Sequence, residues 1–253
     1  TSNKTGESVF KSVGCAVCDY AGYNGRVLVC ESLFFDEKIK SAISNNKISN
    51  LKIAISKLDG LVIPSGQIFS FWPNVGAISR KKGYLDGMIL SNGKVSKGLG
   101  GGLCQLSNFL VWILLHADVE IVERHHHSMD VFPDSGRILP FGSGATIYYN
   151  YVDLQIKNTS NADMQLKLWL TDDCLKGQLL SNIPSQYKYH IVEKDHCFIY
   201  KNNKYYRYNQ IYREKLLDGK VVGEEKIFTN FAPVVYKVDE NKLRDLGYEI
   251  VKV

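Results

Sequence analysis

The residues best suited to covalent chemistry lie in one stretch, Gly98-Leu99-Gly100-Gly101-Gly102-Leu103-Cys104-Gln105-Leu106-Ser107-Asn108, followed by the apolar run from Phe109 to Leu115. Four glycines in five positions oppose a helix or strand interior, because glycine loses the most backbone entropy on ordering. They suit a tight loop with glycine-only geometry, and a positive φ is the expectation at Gly101. From Cys104 onward Leu106, Phe109, Leu110, Ile113 and Leu114 recur at helical spacing, so a helix starts at or next to the cysteine. Unpaired N–H groups and the positive end of the dipole at a helix start stabilise a thiolate. Such cysteines reach pKa values from about 3.5 to 7.5, against about 8.5 for a solvated thiol. Two readings follow: a nucleophile beside backbone oxyanion donors, or a small buried cysteine capping a helix behind a structural turn.

The surrounding elements read as α+β. Arg26–Cys30 has strand character, and Asp36–Leu58 has helical spacing with Asp36 as N-cap. Leu61–Ile63 and Ile68–Trp72 read as strands, and Tyr84–Val95 as a hairpin turning at Asn92-Gly93. Beyond the central helix, Val119–Arg124 alternates as a strand and runs into His125-His126-His127-Ser128. Residues 129–143 are a Pro- and Gly-bearing loop, and 145–157 alternate as one long strand. Met164–Leu170 and Leu175–Leu180 form a further hairpin, and past Pro184 the chain becomes a small antiparallel module. The expected division is an N-terminal β/loop segment over 1–35, a core domain over 36–160 and a β-rich module over 161–253.

Composition narrows the function. The 253 residues carry 45 % hydrophobic and 23 % charged side chains, enough for a sizeable core. A net charge of +5 is too mild and diffuse to suggest nucleic acid, though it suits an anionic surface such as a cell wall. No apolar run approaches the ~20 residues of a membrane span. Cys15-Ala-Val-Cys18 is half a zinc motif that no second CxxC or HxxxH completes, so neither metal nor other cofactor is expected. Tyr205, Tyr206 and Tyr208 would make a carbohydrate-stacking face or an ordinary sheet surface.

Residues from about Asn50 to Ser160 resemble a VanW domain. The resemblance rests on Leu58-Asp-Gly60, Pro64-Ser-Gly-Gln-Ile-Phe-Ser-Phe71, Gly83-Tyr84, Asn92-Gly93-Lys94 and Gly100-Gly-Gly-Leu-Cys-Gln-Leu-Ser107. It continues through Glu123-Arg-His-His-His-Ser128 and the stretch from Ala145-Thr146 to Asn158. The chain is similar to the short VanW proteins that accompany glycopeptide-resistance genes in Gram-positive bacteria. Some longer VanW-domain proteins are L,D-transpeptidases of peptidoglycan with the motif cysteine as nucleophile, a role that maps to Cys104. The resemblance implies a VanW core of mostly antiparallel strands packed on a central helix. It also implies acyl transfer from tetrapeptide stems through a thioester, forming 3-3 cross-links, or a carboxypeptidase-like variant. The rival implication is a non-catalytic accessory protein that binds stem peptides or glycopeptide.

Acyl transfer needs a base and oxyanion donors besides the thiol. His127 is the first choice of base and His125 the second, since alternate strand residues share a face and His126 opposes them. A solvated strand end is the other reading of this triplet. Backbone N–H groups around Gly101 and Gly102, and those of Leu103 and Gln105, are the candidate oxyanion donors, with Tyr84 and Arg124 lining the groove. The Gln105 side chain either donates to the oxyanion or caps the helix, and Ser107 and Asn108 cap or pack. Many VanW domains carry an Asp before the Ala-Thr of the last core strand, where this chain has Gly144. If that Asp orients the histidine, Arg124, Asp130, Asp134 or Arg137 must substitute for it. Such an enzyme works outside the cytoplasm at the cell wall, whereas several cysteines without evident partners suit a cytoplasmic setting.

Overall fold

The computed structural model describes residues 27–32, 42–91, 94–131, 133, 139–172 and 174–253. Its chain contacts divide into two units: Thr1–Ile89, Lys97–His125 and Gly144–Gln186 in the first, and Leu90–Ser96, His126–Ser143 and Tyr187–Val253 in the second. The fold class is α+β, with several antiparallel sheets and a β-rich C-terminal sheet. No helix among the described residues is long and apolar enough to cross a membrane. The Cys15–Cys18 pair lies outside the described residues.

The first unit is built on a four-stranded antiparallel sheet in the order β1 (Val27–Ser32), β9 (Cys174–Ser181), β8 (Met164–Leu170), β2 (Val62–Ile63). A smaller sheet orders β3 (Ile68–Ser70), β7 (Gln155–Asn158) and β6 (Val119–Glu123). Helix α3 (Leu103–Leu115) is the core element: Leu106, Phe109, Leu110, Val111, Ile113, Leu114 and Leu115 are fully buried. Only the stripe of Cys104, Gln105, Asn108 and Trp112 stays partly exposed, and the wide apolar remainder of the helix is what the core encloses. Gly177 in β9 makes room for it, because a Cβ there would lie 2.8 Å from Phe109 Cε1 and 2.9 Å from Ile113 Cδ1. Helix α1 (Ala42–Leu58) contributes Leu51, Ala54, Ile55 and Leu58 from one buried face.

Asn50 on that face is fully buried and connects three elements. Its Nδ2 donates to Leu85 O at 2.9 Å and to Gly101 O at 3.0 Å, and its Oδ1 accepts from Leu85 N at 2.8 Å. Leu85 immediately precedes β4 (Asp86–Ser91), which forms a two-stranded hairpin with β5 (Lys94–Leu99).

Two expected strands are modified. Ile68–Trp72 is strand only to Ser70, after which Phe71–Val75 forms a short helix, α2. The Asp153 carboxylate causes the change of direction by accepting from Ser70 Oγ and from Trp72 N (3.1 Å). Pro73 is tolerated in a first helical turn, where its missing N–H has no intrahelical partner to lose. The expected long strand over 145–157 is broken by a turn at Tyr148–Tyr151, with Asn150 at φ 66°. Only Gln155–Asn158 is ladder strand, β7.

In the second unit β10 (Lys188–Lys201), β11 (Lys204–Leu217) and β12 (Lys220–Pro233) form a long antiparallel meander. The strand β13 (Glu249–Lys252) lies parallel to β10 beyond the short helix α4 (Glu240–Asp245). Its interior holds the Arg207 guanidinium, 1 % exposed, bonded to Asp130 (3.3 Å) and His196 Nε2 (2.8 Å) and lying over the Phe141 ring. A buried charge persists only where it is paired and hydrogen-bonded, as here. Tyr205, Tyr206 and Tyr208 divide between the faces of β11. The Tyr205 hydroxyl bonds Glu240 (2.6 Å), and the Tyr206 ring stacks on Phe231.

Replacing Asn50 by Leu keeps the branching at Cγ but strands Leu85 N and Gly101 O, while Leu85 O keeps the Gly100 N–H (3.0 Å). Buried polar groups left unpaired cost about 1–3 kcal/mol each, so a loss of at least about 2 kcal/mol is expected. A urea midpoint that falls accordingly, with the slope unchanged, would check it.

Candidate functional site

Cys104 is the second residue of α3, whose N-cap is Gly102 at φ 102°. The approach is a glycine turn: Gly101 N–H donates to Gly98 O (3.3 Å), Leu103 N–H to Gly100 O (3.3 Å) and Gln105 N–H to Gly102 O (3.0 Å). Positive φ falls at Gly100 (75°) and Gly102, not at Gly101 as expected. Gly101 is required for a different reason. A Cβ there would stand 2.5 Å from Gly87 Cα, and a Cβ on Gly87 would meet Gly101 O at 2.9 Å. Two backbones touch with no side chain between them. With Leu103 and Gln105 N–H already bonded, Gly102 N–H is the remaining proposed oxyanion donor. It has no hydrogen-bond partner among the described residues.

The thiol faces the extended segment Gly144–Ile147, and three α3 residues at i, i+3 and i+4 hold that segment. Cys104 Sγ donates to Ile147 O (3.7 Å), Ser107 Oγ donates to Ala145 O (2.6 Å), and Asn108 Oδ1 accepts from Ala145 N (2.8 Å). Asn108 also occupies the space above Gly144, where a Cβ would lie 2.5 Å from Asn108 Cγ. An Asp at position 144 would therefore need the volume that Asn108 fills. The far edge of the segment is bridged to the histidine strand, with Thr146 N–H donating to His125 O (2.7 Å). Arg124 Nε donates to Gly144 O (2.7 Å).

His125 lies opposite Thr146, so their side chains share a face. Its half-exposed ring meets Glu123, with Nε2 3.2 Å from Oε1. The same Glu123 oxygen accepts from Asp153 N–H (3.1 Å), and Asp153 is itself fixed by Ser70 Oγ and Trp72 N. Glu123 thus stands where an orienting carboxylate for His125 would stand. His127 belongs to the second unit, as does Asp130, whose carboxylate bonds Arg207 and Tyr236. Asp134 and Arg137 lie outside the described residues. Tyr84 is enclosed, at 1 % exposure, with an unpartnered hydroxyl, and Gln105 Oε1 and Thr146 Oγ1 are likewise buried without partners.

Burial decides the electrostatics. It pushes the Cys104 thiol above its ordinary pKa, and the Ile147 contact offsets this only in part. The expected lowering at the helix start therefore does not occur. Burial also holds Arg124 down to about 10, still charged at neutral pH. His127 is lowered by burial and then by the charge of His126, so its imidazole is neutral and able to accept a proton.

Sequence reasoning missed Glu123, Asn50 and Gly87, and left Ser107 and Asn108 as mere packing. Glu123 was readable in part, since it stands two residues before His125 on an alternating strand and so shares its face. Ser107 and Asn108 share the helix face of Cys104 by spacing alone. Nothing local marks Asn50 or Gly87.

A family profile described as VanW like protein matches residues 46–180. The chain is 31 % identical over 198 residues to the Vancomycin B-type resistance protein VanW of Enterococcus faecalis (strain ATCC 700802 / V583), covering 78 % of this chain and 72 % of that one. It is 29 % identical over 124 residues to the protein YoaR of Bacillus subtilis (strain 168), covering 49 % of this chain but 39 % of YoaR. No solved structure matches. The protein belongs to the VanW family.

Two outcomes follow from this geometry. Since its pKa is raised, the Cys104 thiolate forms only as pH climbs through a value above the ordinary thiol range. Iodoacetamide labelling, mapped by mass, should be slower at pH 7 than for a solvated cysteine peptide and still rising past about pH 9. A plateau below pH 8 would mean that the helix N-terminus outweighs burial. Gly144→Asp should destabilise by about 1–3 kcal/mol through overpacking against Asn108. Adding Asn108→Ala should then cost less than it does alone, a coupling read from a double-mutant cycle in urea.

Proposed function

We propose that the protein is a cysteine-dependent peptidoglycan L,D-transpeptidase working through a thioester on Cys104. The observation that carries this reading is the pinned segment Gly144–Ile147. One side receives the Cys104 thiol at Ile147 O, and the other is backbone-bonded to His125, whose ring has a carboxylate partner in Glu123. A thiol from α3, with an imidazole and a carboxylate from the 123–125 stretch, are the elements of a nucleophile–base–orienter system. Kinship to a protein named for vancomycin resistance supports a cell-wall substrate and a place outside the cytoplasm.

Starting from a neutral thiol and a neutral imidazole, the steps balance. Histidine takes the thiol proton as sulfur attacks the carbonyl carbon of the third stem residue, and Gly102 N–H faces the developing oxyanion. Collapse breaks the peptide bond, the proton passes to the departing D-Ala amine, and a thioester remains on Cys104. An amine of a second stem then attacks the thioester and loses its proton to histidine. The thiol is regenerated by that proton and a 3-3 cross-link is left. With water in place of the amine, the same site is a carboxypeptidase.

The raised thiol pKa favours one competing reading, a binding protein for stem peptides in which Cys104 only packs. D-Ala release from tetrapeptide stems separates the two. The parent should release D-Ala and show a covalent acyl adduct by intact mass. Cys104→Ser should lose roughly a hundredfold or more of the turnover while still binding the stem. Equal release by both would overturn the cysteine mechanism, and stem binding without release in either would establish the binder.

A further inference from the structure

Immediately after the segment that receives the thiol, the chain exposes two aromatic rings on a rigid turn. Tyr148 is 61 % and Tyr151 80 % exposed, although large aromatic side chains gain most from burial. The turn is not loose. Tyr148 N–H donates to Val152 O (2.9 Å), and Tyr148 O accepts from Tyr151 N (2.9 Å) and Val152 N (2.8 Å). Asn150 takes the left-handed conformation that asparagine tolerates better than most residues. From the core side Trp72 Nε1 donates to Val152 O (2.8 Å), and the Trp72 ring meets Tyr149 edge-on at 5.3 Å. The Tyr148 and Tyr151 rings lie 5.5 Å apart, inclined at 52°.

We infer that this turn is a saccharide-binding subsite beside the Cys104 site. The chemistry of the turn selects the ligand. From Gly144 to Val152 there is no charged residue, and the Asp153 carboxylate that follows is engaged by Ser70, Trp72 N and Leu154 N. The turn itself therefore offers no cation for phosphate or carboxylate and no available anion for an amine. It presents two amphipathic rings with hydroxyl tips and the exposed Asn150 carboxamide between them. That combination fits a neutral sugar ring, whose C–H face packs on an aromatic plane while its hydroxyl and amide groups bond at the rim. Rings held before binding lose little entropy on contact, as tyrosine does in other recognition surfaces. The position is also apt, because Tyr148 is covalently next to Ile147, which holds the thiol. Resting on the proposed peptidoglycan substrate, the sugar is an N-acetylated amino sugar of the glycan strand whose stem peptide reaches Cys104.

The test titrates the full chain with a tetramer of N-acetylglucosamine and follows intrinsic fluorescence, with calorimetry as a second readout. Tyr148→Ala and Tyr151→Ala should each weaken binding about tenfold or more, whereas Tyr148→Phe and Tyr151→Phe should stay within about threefold of the parent. Binding of a sugar-free tetrapeptide should be unchanged in all four, which also reports that each variant is folded. No tetramer binding by the parent, or equal binding by the double alanine variant, overturns the inference. Loss of tetrapeptide binding alone in a folded alanine variant would make the turn a peptide wall and overturn it equally. Tyrosine-dependent tetramer binding without any D-Ala release would leave the subsite standing and remove the transpeptidase reading.

Discussion

The first unit depends on a place where two backbones touch. Gly101 and Gly87 meet with no room for a Cβ on either, and the buried Asn50 carboxamide binds the chain on both sides of that contact. An amide on a helix can satisfy a donor and two acceptors at once, which apolar side chains cannot, and in the interior those groups have no water to turn to. The glycine turn is thereby fixed in space, and with it the start of α3. Since most of α3 is buried, moving its first turn would disturb the whole core. The thiol at its second position is consequently held by the packing of the unit rather than by a flexible loop.

The same enclosure sets the chemistry. A helix N-terminus favours a thiolate and an apolar surround opposes it. Here the surround wins, because the dipole contributes at most about 1–2 kcal/mol while burying an uncompensated charge costs several. The thiol instead stays protonated and donates a hydrogen bond to a backbone carbonyl. A resting site with neutral sulfur resists oxidation and adventitious alkylation, and the acyl transfer proposed above would require a base to take the thiol proton. The Glu123–His125 pair, fixed through Asp153 to the junction of β3 and α2, has the form of such a base with its orienter.

Asn108 and Gly144 are complementary in shape. At position 144 the chain has no side chain, and the volume above it is taken by an amide from the core helix. The amide bonds the strand from the helix side, so the segment carrying Ile147 and Thr146 stays in place. In the second unit a comparable burden falls on Arg207, whose buried charge is met by Asp130, His196 and aromatic faces.

Local sequence determined much of this protein. The helix after the glycines, a hairpin read over 84–95, the pairing of β8 with β9 and the β-rich C-terminal region all follow from spacing and turn chemistry, which act over a few residues. β5 nevertheless continues through Gly98 to Leu99, where the glycines read as loop. Family membership was also legible, since it rests on several short motifs whose residues are contiguous within each. Tertiary structure alone decided the rest. Ile68–Trp72 and 145–157 read as continuous strands, but the Asp153 carboxylate and the tyrosine turn interrupt them through contacts made across the fold. Gly101 needed the approach of Gly87, 14 residues away in sequence, to reveal why it is glycine. The thiol's raised pKa and the exposure of Tyr148 and Tyr151 depend on burial. Burial is a property of what the remainder of the chain packs against a residue, and no local pattern encodes it.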